Sequence, residues 1–318
     1  MLLAVKISLA FVILLVGLTL FLSERRVAAA NAKYPPLGEI VDINGKSIHA
    51  LVMGEGPDLV LIHGASGNMR DFTLSIAPEL AKSYRVFLFD RPGLGHTASF
   101  DRSGESLKEQ ALFLREAALA MGAKRPIVLG QSYGGAVALA WAIHAPKDVS
   151  ALVLVAAASH PWETPLPLYY KVTSHPLFGF ISARLISAFA TERQIQKTLG
   201  EVFDPLPIPD GYREGFGVEL ILRPNSIVAN AKQRANIKAE ILSQYQSYKT
   251  LTLPIEVVHS VDDVTVPFDI HAKRLQQDIA RLNLTALERA GHMPHHTAPT
   301  QVIEAVHRVA LRRGLNTE

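Results

Sequence analysis

The 318-residue chain contains no cysteine, which excludes disulfide bonds, thiolate nucleophiles, zinc fingers and iron–sulfur clusters together. No cofactor held through sulfur is expected. Net charge is scarce as well: 32 lysines and arginines stand against 29 acids, and Lys6, Arg25, Arg26 and Lys33 against Glu24 account for the whole excess of +3. From Tyr34 onward the chain is neutral. It therefore lacks the long-range positive field that draws phosphate backbones, and no nucleic-acid partner is expected. Internal repeats are missing, and so are low-complexity tracts beyond the N-terminal run. With 48% hydrophobic residues the chain has enough apolar material for one large core, which excludes a disordered or collagen-like protein.

What the N-terminus does contain is an unbroken uncharged run from Ile7 to Leu22. As a helix it is about 24 Å long, and with Lys6 reaching outward it approaches the ~30 Å hydrocarbon thickness of a bilayer. Residues 1–22 are expected to be a transmembrane anchor. The alternative is a signal segment cleaved after Ala28-Ala29-Ala30, against which Glu24, Arg25 and Arg26 intervene between run and cleavage site. The run has no polar face, so it does not read as a core helix. Cations flank it on both sides and leave its orientation open. Residues 23–37 end in Pro35-Pro36 and are expected to form an extended linker.

Beyond the linker, Asn44-Gly45 lies between two strand-like segments, Glu39 to Ile43 and Ser47 to Met53, and predicts a β-hairpin. Short runs of Val, Leu and Ile follow at residues 58–63, 84–90, 126–130, 150–155 and 254–259, with a last strand at Leu284 to Leu287. Such continuous apolar runs belong to strands covered on both faces. Helices are expected between them at Ser106 to Met121, opened by the capping box Ser106-x-x-Glu109, at Tyr133 to His144, at Pro267 to Arg281 and at Thr300 to Arg313. The repetition predicts an α/β fold with a mostly parallel, doubly wound sheet. Between His160 and Leu253 the alternation breaks into proline-punctuated helical material, expected as an inserted helical cap at residues 160–253. The core then comprises 38–159 and 254–318.

Gly130-Gln131-Ser132-Tyr133-Gly134 follows one of these strands and opens a helix. On a tight strand-to-helix turn the glycines remove Cβ atoms that would collide, and the central hydroxyl projects from the sheet. The Tyr133 amide at the helix start has no intrahelical acceptor and is free for a developing oxyanion. A serine nucleophile needs a base. His292, just after the last strand, shares the sheet edge with Ser132. Its second nitrogen needs a carboxylate, for which Asp263 is preferred and Asp262 is the fallback. His295 and His296 lie close by in sequence, but three histidines without an acidic partner in helical register make a poor ligand set, so no metal is expected. After the first parallel strand, Gly64 permits close backbone approach, and the Ala65 amide is the candidate second oxyanion donor.

The order Ser132, Asp263, His292, with the Gly64-Ala65 loop upstream and an insertion after the sixth strand, resembles the α/β-hydrolase family. It is similar to the capped esterases, lipases, carbon–carbon bond hydrolases and cofactor-free haloperoxidases, over about residues 38–314. The resemblance implies Ser132 as nucleophile, His292 as base, Asp263 as orienting acid, and the Ala65 and Tyr133 amides as oxyanion hole. It implies no cofactor. Haloalkane dehalogenases and epoxide hydrolases carry aspartate at the Ser132 position, which argues against both activities. Many relatives place proline and tryptophan where this chain has Ser66 and Phe72. The expected activity is cleavage of a carboxylic ester or related acyl bond in a small apolar substrate, by a protein held at a membrane through its N-terminal segment. Apolar and aromatic residues between Tyr169 and Phe189 are expected either to line a hydrocarbon pocket or to pack the cap on the core. The same three groups would serve a carbon–carbon bond hydrolase or a haloperoxidase, and a ligand-sensing module with the hydrolase fold is the non-catalytic alternative.

Overall fold

Successive residues of an extended chain point to opposite faces, so a strand apolar at every position feeds two cores at once. In the computed structural model, which describes residues 1–101 and 104–315, Val60 and Ile62 join one buried cluster while Leu59 and Leu61 join another. Residues 316–318, the end of the expected 254–318 segment, lie outside the described ones. Each such buried aliphatic side chain stabilises the fold by about 1.5–3 kcal/mol relative to exposure.

The chain begins with helix α1 (Leu2–Lys33) and continues through the hairpin β1 (Glu39–Ile43) and β2 (Lys46–Met53). Asn44 and Gly45 take the positive φ values, 54° and 80°, that a two-residue hairpin turn requires. Then come β3 (Asp58–Ile62), α2 (Arg70–Thr73), α3 (Ala77–Leu80), β4 (Arg85–Phe89), α4 (Leu107–Ala120), β5 (Ile127–Gln131), α5 (Tyr133–His144) and β6 (Ala151–Val155). The Ser106–Glu109 capping box that opens α4 forms in both directions. The helices between β6 and the next strand are α6 (Leu168–Thr173), α7 (Gly179–Phe189), α8 (Glu192–Phe203), α9 (Tyr212–Phe216), α10 (Val218–Ile221) and α11 (Pro224–Gln244). The chain closes with β7 (Ile255–Ser260), α12 (Ala272–Asp278), β8 (Leu282–Leu287), α13 (Pro294–Thr297) and α14 (Pro299–Arg312). Helix α12 is shorter than the expected Pro267 to Arg281. The chain after Pro267 turns before the helix starts, and Ile279 is already extended toward β8.

The strands form one eight-stranded sheet in the order β1-β2-β4-β3-β5-β6-β7-β8. Among the described residues only the β1–β2 and β2–β4 pairings are antiparallel, and the six strands from β4 to β8 run parallel. This is the α/β-hydrolase arrangement, with helices on both faces. It brings the C-terminal ends of β3, β5, β7 and β8 to one edge, where loops can converge.

The extended linker expected at residues 23–37 is corrected, because α1 runs without a break to Lys33. Alanine-rich sequence sustains a helix, and the charged residues find partners on the insertion. Arg184 meets Glu24 at 2.6 Å, Arg223 Nη1 donates to Asn31 Oδ1 at 2.9 Å, and Arg26 Nη2 donates to the Ala190 carbonyl at 3.1 Å. Ala30 and Tyr34 are buried with Leu220 of α10. The apolar half of α1 stays exposed and is long enough to cross a bilayer, compatible with an anchor or a signal sequence. Residues of α6 and α7 also depart from expectation. Leu177 is 73% and Phe178 59% exposed, and Phe180, Ile181 and Phe189 are exposed too, so they do not fill the core, while Phe180 borders a cavity between α1, α7 and α11. They lie on or beside α7, which packs on α1.

Candidate active site

Strand β5 ends at Gln131 and α5 begins at Tyr133, so Ser132 alone makes the turn, with φ 54° and ψ −115°. A non-glycine residue in that region is strained and persists only where its surroundings over-determine it. They do so here. A Cβ on Gly130 would sit 2.2 Å from the Gly134 carbonyl oxygen, and one on Gly134 would sit 2.1 Å from that of Ile62. Ser132 is further fixed by its amide, which donates to the Val155 carbonyl at 2.9 Å.

The loop after β8 places His292 against this turn. Its Nε2 lies 2.9 Å from Ser132 Oγ and its Nδ1 lies 2.7 Å from Asp263 Oδ2. All three residues are buried. The loop after β7 holds Asp263 by its other oxygen, which accepts from the Thr265 and Val266 amides at 2.8 and 2.9 Å. Asp262, the fallback acid, is turned away. It hydrogen-bonds the Ser260 hydroxyl and accepts from the Gly291 amide at 3.4 Å. Burial alone would raise the Asp263 carboxyl, but the facing imidazoles of His292 and His259 outweigh it and hold the group well below the usual carboxylate range. His259 was missing from the sequence-based site. It stands 3.2 Å from Asp263 Oδ2, and its Nε2 donates to the Val266 carbonyl 2.8 Å away. The spacing of four residues to Asp263 was its one signal, weak because they span a strand end and a turn.

The loop leaving β3 completes the edge. Gly64 lies so close to the Ser132 turn that a Cβ there would come within 3.2 Å of Ser132 Cβ and 2.2 Å of Gln131 Oε1. Ala65 follows it, and Tyr133 occupies the first position of α5, where a backbone N–H has no intrahelical acceptor. Arg91, in the turn after β4 and fully buried, braces this loop: Nε donates to the His63 carbonyl at 2.9 Å and Nη2 to the Gly64 carbonyl at 2.8 Å. Its guanidinium lies 4.3 Å from the centre of the Tyr133 ring. Burial and the Arg91 charge push His63 down to about 4, so it is neutral and accepts from the Arg91 amide at 2.9 Å.

The absence of an acidic partner for His295 and His296 is also corrected. Asp71, on α2, reaches both rings: Oδ1 lies 2.8 Å from His296 Nε2 and Oδ2 lies 3.1 Å from His295 Nε2. These three side chains place their candidate ligand atoms within 4.8 Å of one another. Tyr212 donates to the same Oδ1 at 3.1 Å. Burial would raise the Asp71 carboxyl, but the two imidazoles outweigh it and carry it far below its ordinary value. The cluster ties the loop after β3 to the segment that carries His292. No spacing in the sequence could reveal this, since 224 residues separate Asp71 from His295.

A family model described as the alpha/beta hydrolase family matches residues 59–305. A pimeloyl-[acyl-carrier protein] methyl ester esterase from Vibrio campbellii is 36% identical over 186 residues, 54% of this chain and 70% of that protein. The esterase of the same name from Nitrosomonas europaea is 26% identical over 81% of this chain and 97% of its own. An alpha/beta hydrolase fold protein from Burkholderia ambifaria superposes with a TM-score of 0.70 at 26% identity, covering 85% of this chain and 98% of that one. With the parallel sheet, the insertion after β6 and the loops gathered at one sheet edge, these matches show that the chain belongs to the alpha/beta hydrolase family.

Proposed function

We propose that the chain is a serine hydrolase cleaving a carboxylic ester, or a related acyl bond, of an apolar substrate. The observation that carries this reading is the continuous hydrogen-bonded line from Ser132 through His292 to Asp263. Ser132 Oγ attacks the substrate carbonyl while His292 Nε2 takes its proton. Asp263 keeps Nδ1 protonated and balances the imidazolium. The Ala65 and Tyr133 amides donate to the tetrahedral oxyanion, His292 returns the proton to the leaving alkoxide, and a water deprotonated by His292 then releases the acid. Relatives named as methyl ester esterases support an acyl ester as the substrate class. Serine at position 132, rather than aspartate, sets the chain apart from the epoxide hydrolases of the family.

Attachment to a membrane through α1 belongs to the same proposal. Its support is the exposed apolar half of that helix, together with the exposed apolar residues of α6 and α7 beside it. Wild-type protein should label with a fluorophosphonate probe and hydrolyse p-nitrophenyl octanoate, while Ser132→Ala keeps its melting temperature and loses both activities. Undiminished turnover in Ser132→Ala would remove the nucleophile assignment. A wide preference for acetyl over octanoyl esters would remove the apolar substrate.

A further inference from the structure

The loop between β3 and α2 holds a second strained residue. Ser66 has φ 50°, a region unfavourable for a non-glycine residue and occupied only under restraint. The restraint comes from the helical insertion. Its longest helix, α11, carries Asn230, which is buried and spends both ends of its side-chain amide on Ser66. Oδ1 accepts from the Ser66 amide at 2.7 Å, and Nδ2 donates to Ser66 Oγ at 2.8 Å.

Three more ties run from the insertion to this stretch or to the Arg91 that braces it. Asn68 Nδ2 donates to the Phe216 carbonyl at 3.0 Å, Tyr212 donates to Asp71, and Gln233 Oε1 accepts at 2.8 Å from Arg91, whose guanidinium also grips the His63 and Gly64 carbonyls. Of these, Asn230 alone acts at the residue directly after Ala65. A leucine of similar size could fill the same space. What asparagine adds is an acceptor and a donor matched to one peptide and one hydroxyl.

We infer that Asn230 is a positioning residue of the reaction: from α11 it holds Ser66 in its left-handed conformation and thereby sets where the Ala65 amide stands relative to Ser132. The inference rests on the serine hydrolase reading. Its consequence is that the insertion bears on the reaction itself, because a shift of α11 releases the oxyanion loop and lowers the rate without touching Ser132, His292 or Asp263. Misplacing a preorganised donor by about an ångström costs about 100-fold, and loss of one costs about 100- to 1,000-fold.

The test compares Asn230→Leu, Asn230→Asp and wild type, with Ser132→Ala as the inactive reference. The readouts are the rate of fluorophosphonate labelling, kcat and KM for a p-nitrophenyl ester, and the melting temperature. Asn230→Leu removes both hydrogen bonds and should lower kcat and the labelling rate about 10- to 100-fold, with KM within about threefold. Asn230→Asp keeps an acceptor for the Ser66 amide, and its second oxygen pairs with the Ser66 hydroxyl, so it should restore most of kcat. Equal kcat in wild type and Asn230→Leu, or an Asp variant as slow as the Leu variant, would overturn the inference, whatever happens to the melting temperature. Failure of wild-type protein to label, or labelling that persists in Ser132→Ala, would instead overturn the serine reading and this inference with it.

Discussion

Asp262 and Asp263 are neighbours whose carboxylates meet different surroundings. Asp263 is locked by two backbone amides and turned onto His292, whereas Asp262 serves the Ser260 hydroxyl and the Gly291 amide. In the proposed mechanism only the first stabilises an imidazolium and enforces its tautomer. Asp263→Asn should therefore lower kcat about 10³- to 10⁴-fold with the protein still folded. Asp262→Asn should remain within about threefold of wild type. Ester hydrolysis assays on both variants decide the matter, and a larger loss in Asp262→Asn would reverse the assignment. At this scale the sequence was informative where chemistry and spacing coincide. Ser132 stands between glycines on a strand-to-helix turn, and His292 follows a glycine after a strand. Arg91, Asp71 and Asn230 had no such signature, since each acts on partners brought near only by the folded sheet and insertion.

Among the elements, α1 departs most from its sequence-based expectation. Pattern reading divides it at Leu22, where the apolar run ends, and treats the rest as tether. The helix instead continues to Lys33, and its polar half docks on α7 and α10 through Glu24, Arg26, Asn31 and Tyr34. Two truncations separate the halves. A chain starting at Ser23 should keep wild-type activity and melting temperature and, on the proposed membrane attachment, should partition out of the membrane fraction. A chain starting at Gly38 also loses Ala30 and Tyr34 from their buried contacts with Leu220 and should melt several degrees lower. Equal melting temperatures for the two would show that the docked half contributes nothing to stability. The strands of the sheet were far more legible, because a buried strand is marked by consecutive Val, Leu and Ile within five or six residues. Helix ends in the insertion and at α12 were less so, since prolines mark breaks without saying which side stays helical.

Over the whole molecule, buried neutral histidines make stability depend on pH. Burial, reinforced by Arg91, pushes His63 down to about 4, and burial with nearby His259 pushes His271 down to about 3. In the unfolded chain both titrate near 6.5. Below that pH the unfolded state takes up protons that the folded state refuses. Stability is therefore full above pH 6.5 and declines as pH falls toward 4, by on the order of a few kcal/mol from His63 alone. Melting temperature should be flat between pH 7 and 8 and fall between pH 6.5 and 4.5. In His271→Asn the amide oxygen can accept from the Ser159 and His160 amides in place of Nδ1, and the fall should be shallower. An unchanged melting temperature at pH 4.5 would contradict this account.

The sequence by itself determined the fold class, the hairpin, the order of the strands with the main helices between them, the strand-to-helix turn at Ser132 and the apolar N-terminal helix. Each rests on periodicity or turn chemistry among residues a few positions apart, where backbone geometry alone decides which side chains share a face. Only the tertiary structure decided that Asp263 rather than Asp262 faces His292, that Asp71 spans to His295 and His296, that α1 docks on the insertion, and that Asn230 grips Ser66. Those contacts join segments whose proximity is set by the parallel sheet and the helices packed upon it. Local sequence rules carry no information about a neighbour that arrives from 160 or more residues away, as Asn230 does at Ser66.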